Sequence, residues 1–154
     1  MATNYVLNAG DGDINPGTAA LDPSDTTMVH LTGISGITEE DLTTITATGV
    51  LDVYQAGEPS DTFADFYFGI LAMGFVRYDG DDNGLPDIYD NTPDAFVTVE
   101  GIVTSVEDFD YRQTVFQDAT GGLLIHDQLT TANMTRGDRV RVSGVLDHYN
   151  HFEQ

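Results

Sequence analysis

Twenty-six carboxylates share this 154-residue chain with five arginines and no lysine, a formal net charge of −21. Self-repulsion on that scale opposes any compact state unless cations offset it. Two offsets fit. One is a set of specific cation sites in a calcium-rich medium. The other is a halophilic setting, where charges are screened within roughly 3 Å at 1 M salt. The two are compatible. Hydrophobic residues make up 40% of the chain, enough to build a core, so the sequence reads as folded rather than disordered.

The same charge excludes classes of partner. Nucleic acid and anionic membrane surfaces both need a basic face, so neither is expected. The chain has no Cys, which removes disulfides, zinc–thiolate sites and thiol nucleophiles. A secreted domain without disulfides needs another staple, and a metal ion supplies one. The longest apolar run, Phe63 to Val76, is interrupted by Asp65, Gly69 and Gly74 and is too short to span a bilayer. No basic n-region followed by an apolar h-region opens the chain at Met1-Ala2-Thr3-Asn4, so a leader already removed or another export route is expected.

Along the chain, β patterns dominate. Residues 1–26 read as a flexible, Gly/Asp/Pro-rich segment in which Tyr5-Val6-Leu7 could serve as an edge or donated strand. Residues 27–78 read as a β-rich module. Met28–Leu31 forms a strand, Thr38 caps a brief helix with Glu39, Glu40 and Asp41 in its first turn, and Thr43–Tyr54 returns to β-branched alternation. Phe63–Val76 fits a strand pair or a buried helix; its five aromatics and two glycines favour strands.

Residues 79–90 read Asp79-Gly80-Asp81-Asp82-Asn83-Gly84-Leu85-Pro86-Asp87-Ile88-Tyr89-Asp90. Side-chain oxygens fall at positions 1, 3, 5, 9 and 12, with Gly at 6, the pattern of an Asp/Asn-rich calcium loop. Calcium takes roughly 6–8 oxygens at about 2.3–2.6 Å. Alternate residues of a tight turn can aim carboxylates at one centre, Gly84 permits the reversal, and the Leu85 carbonyl adds a neutral ligand. Pro93 follows closely and no exiting helix is expected in residues 92–99, unlike an EF-hand. Through Asp90-Asn91-Thr92-Pro93 the string resembles the thrombospondin type 3 repeat, with Thr92 where that family often has Cys and a single copy where it has tandem ones. The resemblance implies Ca2+ as the cofactor and Asp79, Asp81, Asn83, Leu85, Asp87 and Asp90 as ligands.

From Ala95 onward four strands are expected, at 96–106, 113–117, 123–126 and 139–147. Val97-Thr98-Val99-Glu100-Gly101-Ile102-Val103, then Gln117-Asp118-Ala119-Thr120-Gly121-Gly122, then Gly137-Asp138-Arg139-Val140-Arg141-Val142-Ser143-Gly144, together resemble the OB-fold of secreted nucleases and surface proteins. The expected fold class is therefore mainly β: an N-terminal β-rich module and a C-terminal OB-like, partly open barrel (residues 95–154), joined by the calcium loop at 79–94. Gln154 falls where a fifth strand would begin, leaving an edge for a donated strand. Nucleic-acid-binding members line the second and third strands with aromatics and bases. Here Tyr111, Arg112 and Phe116 are the candidates, amid Glu107, Asp108, Asp110 and Asp118.

Weaker signals are Asp147-His148 with His151 as a transition-metal pair, and Gly10-Asp11-Gly12-Asp13 as a partial second calcium turn. His30 and His126 have no partner visible in the sequence. No Gly-x-Ser-x-Gly elbow occurs, and paired carboxylates cannot be singled out against an acidic background. The expected function is a non-catalytic, extracellular or cell-surface, calcium-binding structural or adhesive protein that self-associates or meets other surface proteins in filaments or matrix. The alternative is an OB accessory module of a secreted enzyme such as a nuclease, binding nucleic acid or glycan.

Overall fold

The structure, a computed structural model, describes residues 4–25, 28–50, 60–106, 113–126, 133–149 and 152–153. It is mainly β, with two short helices. The chain forms two compact units, Met1–Phe66 and Tyr67–Gln154. The expected division lay at the acidic loop; the division observed precedes it, so residues 79–94 lie within the second unit rather than between the two. The expected strand at 51–54, the turn at 107–110, and Tyr111, Arg112 and His151 lie outside the described residues.

In the first unit β1 (Tyr5–Asn8) sits between β2 (Asp13–Ile14) and β5 (Leu42–Val50), antiparallel to both. Leu7 pairs with Ile14 on one side and Ile45 on the other, and is 2% exposed. The Tyr5–Leu7 segment is therefore built into its own unit, since freeing it for donation would expose Leu7 and break two ladders. β3 (Thr18–Leu21) pairs with β4 (Val29–Thr32) in a separate ribbon, so residues 8–26 hold two short strands where loop was expected. Of β6 (Ser60–Tyr67), Asp65 accepts a hydrogen bond from the Thr44 hydroxyl at 2.6 Å.

The expected helix at Thr38 is a turn. One Asp41 carboxylate oxygen accepts both the Thr38 backbone N–H at 2.8 Å and its hydroxyl at 2.7 Å, holding that carboxyl below its usual pKa. Glu40 adopts φ 72°, a left-handed conformation that a helix cannot continue through. His30 does find a partner: its Nε2 lies 2.7 Å from Asp22 Oδ2. That contact, with the donors of Ser24 and Asp25, keeps the Asp22 carboxyl far below the usual carboxylate range.

In the second unit, β7 (Phe96–Val106), β8 (Gln113–Gln117) and β9 (Gly122–His126) form an antiparallel meander, and β10 (Arg139–Val145) pairs with the first half of β7. These four strands fall where alternation places them. On β7, Val97, Val99, Gly101 and Val103 point inward. They meet Phe116 of β8, Leu123 and Ile125 of β9, and Leu146 in one core. A register shift between Val103 and Ser105 marks the bend that lets one long strand serve two neighbours. Gly101 lies apart from that shift and meets a packing demand. A Cβ there would stand 2.5 Å from Met73 Cε and 2.7 Å from the Gln117 carbonyl oxygen. The sheet stays open. The last described strands, β11 (His148–Tyr149) and β12 (Phe152–Glu153), pair only as a two-stranded ribbon.

Phe63–Val76 divides between both readings. It begins as β6, reverses at Gly69 (φ 92°), and ends as the one-turn helix α1 (Met73–Val76). Leu71 bridges Val99 in parallel, its N–H donating to the Thr98 carbonyl at 2.8 Å. Thr114 is wholly buried, and its hydroxyl has no hydrogen-bond partner among the described residues. A buried hydroxyl with no partner is a standing cost, so isosteric Thr114→Val is expected to raise stability by about 1 kcal/mol. A rise in urea midpoint at unchanged m-value checks it.

Candidate cation site

The acidic loop is carried between two pieces of the second unit's core. α1 ends at Val76, which is fully buried, and the loop returns through Pro86 and Ile88, both buried, into α2 (Asp87–Asn91). The Tyr78 carbonyl accepts the Asp87 N–H at 2.8 Å, and Asp90 N–H donates to the Pro86 carbonyl at 3.0 Å. α2 is a single turn that falls inside the loop. Both ends of the loop are thus pinned, and its carboxylates project from a fixed base.

Asp79, Asp81 and Asp87 converge, with one oxygen of each within 4.8 Å of the others. Asp79 and Asp87 are half-buried and Asp81 is exposed. Asp79 is held at both oxygens: Oδ1 accepts the Asn83 N–H at 3.2 Å and Oδ2 the Gly84 N–H at 2.8 Å. The Gly84 N–H is the main cause of its lowered pKa. Asp87 Oδ1 accepts the Gly80 N–H at 2.9 Å. Two positions need unusual backbone: Asp82 at φ 57° and Gly84 at φ 89°. Gly80 is required for space, since a Cβ would lie 2.9 Å from the Tyr78 ring and 3.0 Å from Asp87 Oδ2.

The remaining three expected ligands are placed differently. The Asn83 Nδ2 group donates to Asp81 Oδ2 at 3.1 Å and to Asp90 Oδ2 at 2.5 Å, while its Oδ1 accepts the Leu85 N–H at 2.8 Å. Asp90 therefore joins the cluster through the amide rather than directly, and Asn83 turns its donors, not its oxygen, toward the acids. Leu85 meets this group through its N–H, which donates to Asn83 Oδ1. The donor set is all oxygen and anionic, which suits a hard divalent cation rather than a soft one. Oxygens in one calcium shell lie at most about 5 Å apart, twice the calcium–oxygen distance, and the triad falls within that limit.

Elsewhere, Gly10–Asp13 is the turn between β1 and β2, with Asn8 bonding Gly10 N–H and Asp13 rather than gathering acids. Asp147 is exposed and the side chain of His148 lies outside the described residues, as does His151. His126 is exposed. Phe116, expected on a ligand face, is 1% exposed and part of the core. An open groove of about 410 Å³ runs beside it, lined by Val97, Val99, Leu123, Ile125, Val142 and Leu146, with His126, Arg141 and Asp147 also bordering it.

Glu100, missed in the sequence, binds two of the five arginines on the outer face of β7 and β10. Arg139 donates to its Oε2, with Nη2 at 2.8 Å, and Arg141 to its Oε1. Arg141 first, then Arg139, lower its pKa. The signal was the antiparallel register that sets Arg141 opposite Glu100. These exposed pairs are weakened by salt. No described helix is long and apolar enough to cross a membrane. Comparison with protein-family models, with curated proteins and with solved structures finds no match to this chain.

Proposed function

We propose that this protein is a non-catalytic, calcium-binding β structural or adhesive module that works outside the cell. The observation that carries the reading is the convergence of Asp79, Asp81 and Asp87 on a loop pinned at both ends to the core. Asn83 and Asp90 stand beside the triad and supply further oxygens once the Asn83 amide turns. The chemistry a bound Ca2+ would supply is charge neutralisation and cross-bridging of the loop to itself, with no reaction. A part-exposed site with three converging carboxylates matches the weak affinities of extracellular calcium modules, roughly 10⁻⁴–10⁻³ M. The lack of cysteine leaves a metal as the staple, and net charge of −21 gives any bound cation a repulsion to relieve.

Thermal unfolding in millimolar calcium and in EDTA tests the proposal. A higher melting temperature in calcium supports it, and identical curves refute it. Assembly into filaments or matrix is the setting this role implies, and electron microscopy under the same two conditions checks that part separately.

Two observations favour a second reading, a ligand-binding accessory module with an open, OB-like sheet. The strand order β10-β7-β8-β9 with a bent β7, and the apolar groove, support it. Phe116 is buried in the core rather than offered for stacking, and a net charge of −21 disfavours nucleic acid, which leaves an uncharged ligand such as a neutral glycan. A stable calcium-loaded monomer that binds an oligosaccharide would favour this reading over the first.

A further inference from the structure

The segment that leads into the acidic loop is held from far along the chain. Asp118, in the turn between β8 and β9, reaches α1: its Oδ2 accepts the Met73 N–H at 2.9 Å. Thr120 Oγ1 accepts the next helical N–H, that of Gly74, at 2.8 Å. No side chain adjacent to α1 caps it, so these two acceptors, 45 and 46 residues downstream, satisfy N–H groups that would otherwise lack partners. The other oxygen of Asp118 gathers its own turn, accepting the Thr120 N–H at 2.6 Å, the Thr120 hydroxyl at 2.7 Å and the Gly121 N–H at 2.8 Å. One carboxylate thus fixes the turn and joins it to the helix.

The fit is close. A Cβ on Gly74 would sit 3.0 Å from Thr120 Cβ, and one on Gly121 would sit 3.5 Å from Gly74 N. From α1 the hydrogen bonds continue into the loop. Arg77 N–H donates to the Met73 carbonyl at 3.0 Å, Tyr78 N–H to the Phe75 carbonyl at 3.1 Å, and the Tyr78 carbonyl accepts Asp87 N–H at 2.8 Å. Asp87 then takes the Gly80 N–H. Asp118 and Asp87 are therefore joined through one helical turn: the Asp118 carboxylate holds the Met73 N–H, and backbone bonds continue from there to the Asp87 N–H.

We propose that Asp118 and Thr120 are positioning residues for the cation loop: they set the helix that fixes where Asp79 begins and where Asp87 returns. The inference rests on the calcium reading above. Burial alone would raise the Asp118 pKa, but the Met73 N–H and the donors of Thr120 and Gly121 outweigh it and lower it to about 2, so the carboxylate that holds α1 is ionised wherever calcium binds.

Calcium titration by calorimetry tests this on the whole chain, comparing wild type with Asp118→Asn, Thr120→Val and Val103→Ala. Val103 shares the core with α1 but makes none of these side-chain hydrogen bonds, so its truncation lowers stability while leaving Asp118 and Thr120 in place. Asp118→Asn should weaken calcium binding by up to about tenfold, the low end for a direct outer partner of a ligand, because Asp118 holds the helix ahead of the ligands rather than a ligand itself. Thr120→Val, the milder change should Asp118→Asn fail to fold, should weaken it several-fold. Val103→Ala should keep the wild-type Kd. Wild-type Kd in both turn variants would overturn the positioning role while leaving the calcium reading intact. Absence of calcium binding by wild type would overturn both.

Discussion

Saturating calcium is expected to raise the melting temperature of this protein by about 5–10 °C, because a hundredfold excess over Kd contributes about 2.7 kcal/mol to the folded state. Asp81→Ala with Asp87→Ala is expected to abolish that rise. The two residues contribute different things. Asp81 is the exposed member of the triad and supplies charge. Asp87 also accepts the Gly80 N–H, so its loss loosens the loop. In EDTA the double variant loses the Gly80 bond to Asp87 and the Asn83 bonds to Asp81, a cost partly offset because removing two acids also removes repulsion. Differential scanning calorimetry of both proteins in calcium and EDTA gives all four values. A calcium-induced rise that survives in the double variant would place the ion elsewhere.

Gly101→Ala is expected to cost about 3 kcal/mol, the upper end of overpacking effects in a closed core. The new methyl would press against the Gln117 carbonyl oxygen at 2.7 Å and Met73 Cε at 2.5 Å. The methionine tip can swing away. The carbonyl belongs to the β7–β8 ladder and cannot move without opening it. A urea midpoint much lower than wild type, at the same m-value, is the expected readout. Because Met73 begins α1, the variant should weaken calcium binding only if α1 itself shifts.

Acid is expected to act on the same part of the molecule. The Asp118 carboxyl titrates from an ordinary 3.8 in the unfolded chain to about 2 in the fold. A lowered native pKa means stability that is present above pH 4 and lost as pH falls toward 2. Asp79 is shifted in the same direction by the Gly84 N–H. Melting followed across that window should show a steep loss, reduced in Asp118→Asn.

The strands of the second unit were legible because their alternation is strict and their faces differ. Val97, Val99 and Val103 against Thr98, Glu100 and Ile102 leave one register with a buried side. The triad was also legible: the spacing of Asp79, Asp81 and Asp87 around Gly84 encodes a local turn, and local turns need only local residues. What stayed hidden depended on distant partners. α1 exists because Asp118 and Thr120 accept its first N–H groups, and nothing near Met73 signals them. β2 and β3 are short strands whose ladders are made by β1 and β4, and the Gly, Asp and Pro residues around them read as loop. Thr38 misled because the same Thr–Asp pair that opens a helix also closes a turn, and the choice was made by the backbone at Glu40. Asn83, expected from the spacing as a ligand, donates its Nδ2 group to Asp81 and Asp90, since sequence spacing fixes a side chain's position and not which end it presents.

That reversed amide changes how loading and unloading would proceed. Asn83 Nδ2 already spans Asp81 and Asp90, the gap a cation would bridge, so a neutral donor keeps the place of a charged one. Metal sites without such a substitute collapse when stripped, and the domain unfolds with them. On the calcium reading proposed above, an incoming ion would exchange with the Asn83 amide, and a departing one would hand the carboxylates back to it. Calcium would then come and go as a substitution within a folded protein, reversible at every step and free of any refolding delay.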